Sequence, residues 1–241
     1  QRAKELGMEH TTFVNCTGLD DGAEAANHRT SARDIAIMSR ELLKNHPSVK
    51  QFTTIWMDTI RGGTFGLSNT NKLVRFYPGA TGLKTGFTSG AGYCLSATAQ
   101  RDGLELIAVV MGAETSAKRN ESCKQLLDYG FANYALFSPT LEEAPAVPVK
   151  LGKADSVSLR LGEEGQLLVE KAKRSGITAE IFAESEVSAP VSEGQRLGTM
   201  TVKDGEKVLK EVPLVAGEAV PRLTFTDLFV KVLRRAAMAK G

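Results

Sequence analysis

Apolar residues recur at two different spacings along the chain, and the changes of spacing mark the elements. Residues 1–7 read as a last helical turn stopped by Gly7, because glycine takes the left-handed conformation that ends helices. Residues 8–29 are loop-rich, with an Asp20-Asp21-Gly22 turn. A helix is predicted to begin near Thr30 or Ser31. Ser31 can cap it, Asp34 falls in the first turn, where the helix dipole favours an anion, and Ile35, Met38 and Leu42 repeat at helical spacing before Pro47. Residues 53–61 read as a strand, and 62–82 as a long Gly- and Asn-rich loop. Three strands are predicted next, over 83–88, 92–100 and 104–112, the last two joined by an Arg101-Asp102-Gly103 hairpin turn. The continuous apolar run at 106–111 predicts a central strand buried on both faces. A helix is predicted from 116 to about 137, with Cys123, Leu126, Leu127, Phe131 and Tyr134 on one side and Ser138-Pro139 as its stop.

The texture then changes. Residues 140–147 read as a linker with Pro145 and Pro148 beside it. From 148 to 221 the chain breaks into short strand-like runs, at 148–151, 155–160, 166–169, 178–183, 197–203 and 206–215, separated by glycine-bearing turns. This spacing predicts a small antiparallel β-sandwich. It contains no His or Cys, and nothing in it reads as catalytic. Residues 222–241 form an amphipathic helix candidate that Thr224 or Thr226 can cap. Phe225, Leu228, Phe229, Val232 and Ala236 line one face, while Lys231, Arg234 and Arg235 cluster on another. That is the pattern of a helix lying in a membrane interface; docking on the neighbouring sheet is the alternative.

Composition narrows the classes. The 241 residues are 42% hydrophobic and 24% charged, as in an ordinary globular chain. A net charge of +2 gives no reason to expect nucleic acid as a partner. Cys16, Cys94 and Cys123 are far apart and form no C-x-x-C pair, and the three histidines lack ligand spacing, so no metal site and no cofactor is expected. Cys94 and Cys123 sit in apolar-periodic segments and read as small buried thiols.

Candidate chemistry sits at Lys84-Thr85-Gly86, which opens a predicted strand after the Gly-rich loop. Lys84 offers a positive charge at a cleft edge, and Thr85 a hydroxyl for an anionic group. Gly86 removes a side chain, so that a substrate can lie against the strand edge. A bare K-T-G is a weak signal, and in isolation an exposed strand end is the better explanation of it.

The surroundings carry more. Residues 79–115 (GATGLKTGFTSGAGYCLSATAQRDGLELIAVVMGAET) resemble the catalytic strand region of the low-molecular-mass penicillin-binding proteins, the serine-type D-alanyl-D-alanine carboxypeptidases. KELGMEHTTFVNCTGLD (4–20), HRTSARDIAIMSRELL (28–43) and SNTNKL (68–73) resemble segments of the same family, as does the two-domain layout with a terminal amphipathic helix. The resemblance implies an α+β fold. A partial β-lactamase-like transpeptidase domain, an antiparallel sheet with helices, would occupy 1–139. Residues 140–147 would be a linker, 148–221 a β-sandwich domain, and 222–241 a membrane-associating helix. It implies an acyl-serine enzyme that removes the terminal D-alanine from peptidoglycan stem peptides at the outer face of the bacterial cell membrane. Lys84 would organise the proton network of the cleft, and the backbone N–H of Phe87 would form half of an oxyanion hole. Thr85 and Arg119 would bind the substrate's terminal carboxylate beside Gly86, an arginine being apt because its fork pairs with a carboxylate. Asp34 would be supporting rather than catalytic.

Two of the family's three motifs are missing. None of the 16 lysines has a serine three residues before it, and no asparagine has a serine two residues before it. The chain is therefore expected to be truncated at its N-terminus and inactive alone, with β-lactam antibiotics as ligands of the complete protein only. Alternative readings are a non-catalytic module that binds peptidoglycan or a partner, and a class A β-lactamase-like hydrolase. The second domain and terminal helix weigh against the lactamase.

Overall fold

The apolar spacing translates into helices and strands whose ends are set by local signals. The computed structural model describes residues 1–141 and 146–230. Helix α1 (Arg2–Glu5) ends as expected: Gly7 has φ +73°, its N–H reaches the Lys4 carbonyl, and the Met8 N–H reaches Ala3. Helix α2 (Ala32–Asn45) is capped by Ser31, whose hydroxyl accepts from the Asp34 N–H at 3.1 Å. Asp34 does more than complement a dipole. Its side chain is buried and accepts from the His10 N–H at 2.8 Å and the Thr11 hydroxyl at 2.6 Å, tying the segment after α1 to the start of α2.

A short helix α3 (Lys50–Thr53) precedes a hairpin of β1 (Met57–Ile60) and β2 (Phe65–Ser68), and α4 (Leu73–Phe76) leads into the sheet. The sheet has order β3-β4-β5, with β3 at Ala80–Thr88, β4 at Gly92–Arg101 and β5 at Leu104–Ala113, all antiparallel. The Asp102-Gly103 turn has φ +48° and +80°, the left-handed pair that a tight two-residue hairpin requires.

Of these three strands in the described residues the middle one is β4, and not the apolar run of β5. Leu95, Ala97 and Ala99 are buried on one face of β4, and Ser96 and Thr98 on the other. The run at 106–111 is apolar because helices lie over both faces of β5. Apolar composition reports covered faces and carries no information about pairing at the strand's edges.

Helix α5 (Ser116–Asn133) packs on β4 and β5. It stops four residues earlier than its apolar pattern suggests, because Tyr134–Phe137 extend as strand β6. Arg119, Cys123, Leu127 and Phe131 recur every four residues along its buried stripe. Gly130 allows the close approach, since a Cβ there would stand 2.5 Å from Leu106 Cδ1. Each large apolar side chain buried here contributes roughly 1.5–3 kcal/mol. Exposed pairs such as Lys118–Glu114, with side chains 64% and 77% accessible, contribute about 0–1 kcal/mol. The stripe holds this layer, and the ion pairs do not.

The chain divides into two units, Gln1–Tyr134 and Ala135–Gly241. The second is β-rich, as expected. Its strands are β7 (Val147–Lys150), β8 (Ser156–Val157), β9 (Leu159–Leu161), β10 (Leu167–Glu170), β11 (Ile177–Ala183), β12 (Val187–Ser188), β13 (Arg196–Asp204) and β14 (Lys207–Ala216). Seven of them form sheets of order β11-β13-β14-β9 and β12-β7-β8, and β10 pairs with β6. Val147, Val157, Leu197 and Val220 belong to a core that both sheets share. The pair β12–β7 is parallel, a departure from the all-antiparallel expectation, and β12 is too short for a two-residue alternation to reveal. Of the expected linker, 142–145 lie outside the described residues, as do 231–241 of the expected terminal helix. That helix begins at 225, where Thr224 and Asp227 cap each other reciprocally.

Hydrogen bonding by the Thr11 hydroxyl, then by the His10 N–H and Ser31, holds the Asp34 carboxyl below its ordinary pKa, against the opposing effect of burial. A lowered pKa stabilises the fold above the unfolded value of about 4 and ceases to do so as pH falls through the folded value. Asp34→Asn is therefore expected to lower the unfolding temperature at pH 7, with the gap to the parent closing as thermal scans are taken down towards pH 3. An undiminished gap at pH 3 would refute the linkage.

Candidate active site

The K-T-G strand is fastened at the end that precedes the motif. The Thr53 hydroxyl donates to the Thr81 carbonyl at 2.6 Å, and the Asn71 side-chain amide donates to the Gly82 carbonyl at 2.9 Å. Gly82 is buried with φ +143°, and a Cβ there would stand 2.7 Å from Thr53 Cβ, so only glycine fits. Asn69 closes the other side of this clasp. Its amide donates to the carbonyls of Ile55 (3.0 Å) and Thr53 (3.4 Å), and its side-chain oxygen accepts from the Asn71 N–H at 2.9 Å. Two asparagines thus fold residues 53–73 against the strand by bonding side chain to backbone, the use to which this residue lends itself in loops.

Beyond the clasp, successive residues of β3 point to opposite faces. Lys84 and Gly86 lie opposite Ser96 and Cys94, while Thr85 and Phe87 lie opposite Leu95 and Tyr93. On the Lys84 face, the Ser39 hydroxyl of α2 meets Ser96 at 2.8 Å. There a cavity of about 600 Å³ is lined by Ile35, Met38, Lys84, Cys94 and Met111, among others. Lys84 is exposed, and its ammonium donates to the Thr85 carbonyl. Cys94 is only half-buried and faces this cavity, which corrects the reading of it as a buried thiol. Cys123 is fully buried, as expected.

The Thr85 face carries the charge. Thr115 caps α5 by accepting from the Lys118 N–H at 3.1 Å, which sets Arg119 one turn in and directed at the sheet. Arg119 is only 4% exposed. Its guanidinium donates to the Asn120 side chain from Nε (3.1 Å) and Nη2 (3.0 Å), and Nη2 reaches the Thr70 carbonyl at 3.5 Å. It also lies 6.0 Å from the centre of the Tyr93 ring. Among the described residues it makes no ion pair with a carboxylate. Burial pulls its pKa down, and arginine still keeps its charge. The half-buried Thr85 completes the site: its hydroxyl lies 2.6 Å from that of Thr70. Phe87 is exposed, with its ring 4.3 Å from that of Tyr93.

The fold therefore gathers Thr85 and Arg119 around Thr70, and places Lys84 on the opposite face of the same strand. β3 is an edge of the sheet, so one row of its backbone groups can pair with an extended ligand. Thr70 was not singled out by the sequence reading. Its position between Asn69 and Asn71 was the available signal, since two loop asparagines so close together mark a shaped turn. Asp34 lies in the contacts of α2 and takes no part in this constellation.

Comparison with known proteins fits this geometry. Residues 1–115 match the family described as D-alanyl-D-alanine carboxypeptidase, and residues 142–222 match the penicillin-binding protein 5, C-terminal domain. The chain belongs to the low-molecular-mass penicillin-binding proteins of the D-alanyl-D-alanine carboxypeptidase family. It is 39% identical to D-alanyl-D-alanine carboxypeptidase DacF of Bacillus subtilis (strain 168), over 97% of this chain and 60% of that protein. Penicillin-binding protein 5 from Haemophilus influenzae superposes with a TM-score of 0.64 at 29% identity, covering 92% of this chain and 64% of the other. Penicillin-binding protein D2 from Listeria monocytogenes, in a cefotaxime-bound form, matches with a TM-score of 0.50 at 38% identity, covering 54% of this chain and 52% of the other. The chain spans about 60% of the length of the DacF relative and 54% to 56% of the two Escherichia coli (strain K12) carboxypeptidases DacC and DacA.

Cys94 of β4 and Cys123 of α5 differ in environment. Burial pushes the Cys123 thiol up to about 11, against the pull of the nearby Arg119 charge. At pH 8, a maleimide is expected to label Cys16 and Cys94 in the folded chain and Cys123 only after denaturant is added, as read by mass spectrometry of the digested protein.

Proposed function

We propose that this chain is the later part of a serine-type D-Ala-D-Ala carboxypeptidase that removes the terminal D-alanine from peptidoglycan stem peptides. Residues 1–139 serve as the later part of the catalytic domain, 140–147 as a linker, and 148–221 as an accompanying β-sandwich domain. One observation carries the reading: a buried guanidinium without a carboxylate partner among the described residues, set beside a threonine hydroxyl on an open strand edge. A charge removed from water calls for an opposite charge, and the site supplies donors for an oxyanion. The C-terminal carboxylate of an acyl-D-Ala-D-Ala peptide supplies that charge and is extended enough to lie along β3.

In this reading Thr85 and Arg119 hold the carboxylate, Gly86 leaves the strand edge clear, and the Phe87 backbone N–H stabilises the oxyanion that forms at the scissile carbonyl. Lys84 supplies positive charge and a proton-transfer partner on the other face. The attacking serine belongs to an S-x-x-K motif, which these 241 residues do not contain. It would take the acyl group, release D-alanine and pass the acyl group to water. β-Lactams are ligands of the complete enzyme on the same logic, supported by the cefotaxime-bound relative. The reading also places the protein at the outer face of the cell membrane, held there by 222–241. Phe225, Leu228 and Phe229 are exposed at the start of that helix, as an interfacial helix needs.

Calorimetric titration tests the site. Diacetyl-L-lysyl-D-alanyl-D-alanine is expected to bind the chain more tightly than its C-terminal amide. Arg119→Gln is expected to remove that preference with a loss of about tenfold or more, the scale of a charge-assisted hydrogen bond. Equal binding of acid and amide to the unaltered chain rejects the carboxylate site. For the membrane helix, flotation with liposomes containing phosphatidylglycerol is expected to recover the chain and to lose it when 222–241 are removed. Equal recovery rejects the anchor.

A further inference from the structure

We propose that Thr70 is a third binding residue for the substrate carboxylate, donating its hydroxyl to that anion beside Thr85 and Arg119. The proposal rests on the carboxylate reading of the site and adds to it a residue that neither K-T-G nor the arginine implies.

Three observations converge on Thr70. First, its hydroxyl is 2.6 Å from that of Thr85, and either oxygen can be the donor. Each hydroxyl has one hydrogen and two lone pairs. In the free site one hydroxyl hydrogen closes the pair and the other points outward. When an anion arrives, both hydroxyls can turn and donate to it. Second, Thr70 directs its backbone as well as its side chain to this place. Its carbonyl is the acceptor for Arg119 Nη2, at 3.5 Å. That distance is long for a hydrogen bond, so the guanidinium is held loosely on this side and remains available to a better acceptor. Arg119 is 4% exposed and pairs with no carboxylate among the described residues, so its charge is met there by neutral acceptors alone. Third, Thr70 is exposed yet tightly held. Asn69 and Asn71 on either side of it bond to Thr53, Ile55 and Gly82. A hydroxyl so placed is oriented before the ligand comes, which reduces the entropy lost on binding.

The clasp therefore has a purpose beyond the loop itself. Asn69 and Asn71 act as positioning residues. They lock the Thr70 turn to the same strand that carries Thr85, so the two hydroxyls keep their separation whatever the exposed hairpin β1–β2 does.

The test compares the acid and amide forms of diacetyl-L-lysyl-D-alanyl-D-alanine, titrated against the unaltered chain, Thr70→Val and Thr70→Ser. Thr70→Val keeps the shape and removes the hydroxyl; Thr70→Ser keeps the hydroxyl. Thr70→Val is expected to weaken the acid by about tenfold and leave the amide within about twofold, with Thr70→Ser close to the unaltered chain. A merely structural threonine would change both ligands together, and that result overturns the proposal. So does an unchanged acid-to-amide ratio in Thr70→Val while Arg119→Gln abolishes it. In that outcome the carboxylate site stands without Thr70. If the unaltered chain does not prefer the acid, or binds neither form, the carboxylate site itself fails and Thr70 with it. Thermal unfolding of each variant separates loss of binding from loss of fold, and the acid-to-amide ratio of Thr70→Ala, which also lacks the hydroxyl, decides the question if Thr70→Val unfolds.

Discussion

A guanidinium buried without a carboxylate partner among the described residues is the constraint around which the first unit is arranged. Desolvating a cation costs several kcal/mol unless hydrogen bonds and an opposite charge compensate. Arg119 finds Asn120, the Thr70 carbonyl and the face of Tyr93, all neutral. The compensation is therefore partial, and the proposed substrate carboxylate would complete it. Everything near Arg119 serves to keep it in that state. The Thr115 cap sets the phase of α5, the stripe of Cys123, Leu127 and Phe131 presses the helix on the sheet, and Gly130 lets it approach.

The second constraint is the edge strand. β3 offers a free row of backbone groups, and an unsupported edge would shift or pair at random. Thr53, Asn71 and the glycine at 82 fasten its leading end, so the stretch from Lys84 to Phe87 begins from a fixed point. Alternation along the strand then separates the chemistry into two faces. The Thr85 hydroxyl meets Thr70 beside Arg119, the Lys84 side chain turns the other way, and both residues line the cavity over α2. One strand can thus turn a hydroxyl and a cationic group to different neighbours.

Much of this was legible in the residues. Ser31, Gly7 and the Asp102-Gly103 turn act through their own backbone or their nearest neighbours, so their effects can be read one element at a time. Thr85 and Arg119 could be named from the family's pattern, and the alternation of a strand says which residues share a face. Thr70 and the half-exposure of Cys94 could not be read in this way. Each depends on what lies across a gap of many residues: Thr70 on Thr85 and Arg119, Cys94 on the cavity between α2 and the sheet. The order of the strands escaped for a related reason. β5 looked central because two helices cover its faces, and coverage and pairing leave the same apolar signature.

The sequence by itself determined the long helices and the main strands, several of their caps and turns, the β-rich character of the second unit, and the family, because these follow from spacing, turn chemistry and motifs that act over short range. Only the tertiary structure decided which groups share a site. It set the Thr70 hydroxyl against Thr85, and it buried Arg119 where no carboxylate of the described chain reaches it. Those are facts of solvation and distance between segments far apart in the chain. They come into being only when the 53–73 segment, the β3 edge and α5 close on one another and exclude water from the guanidinium.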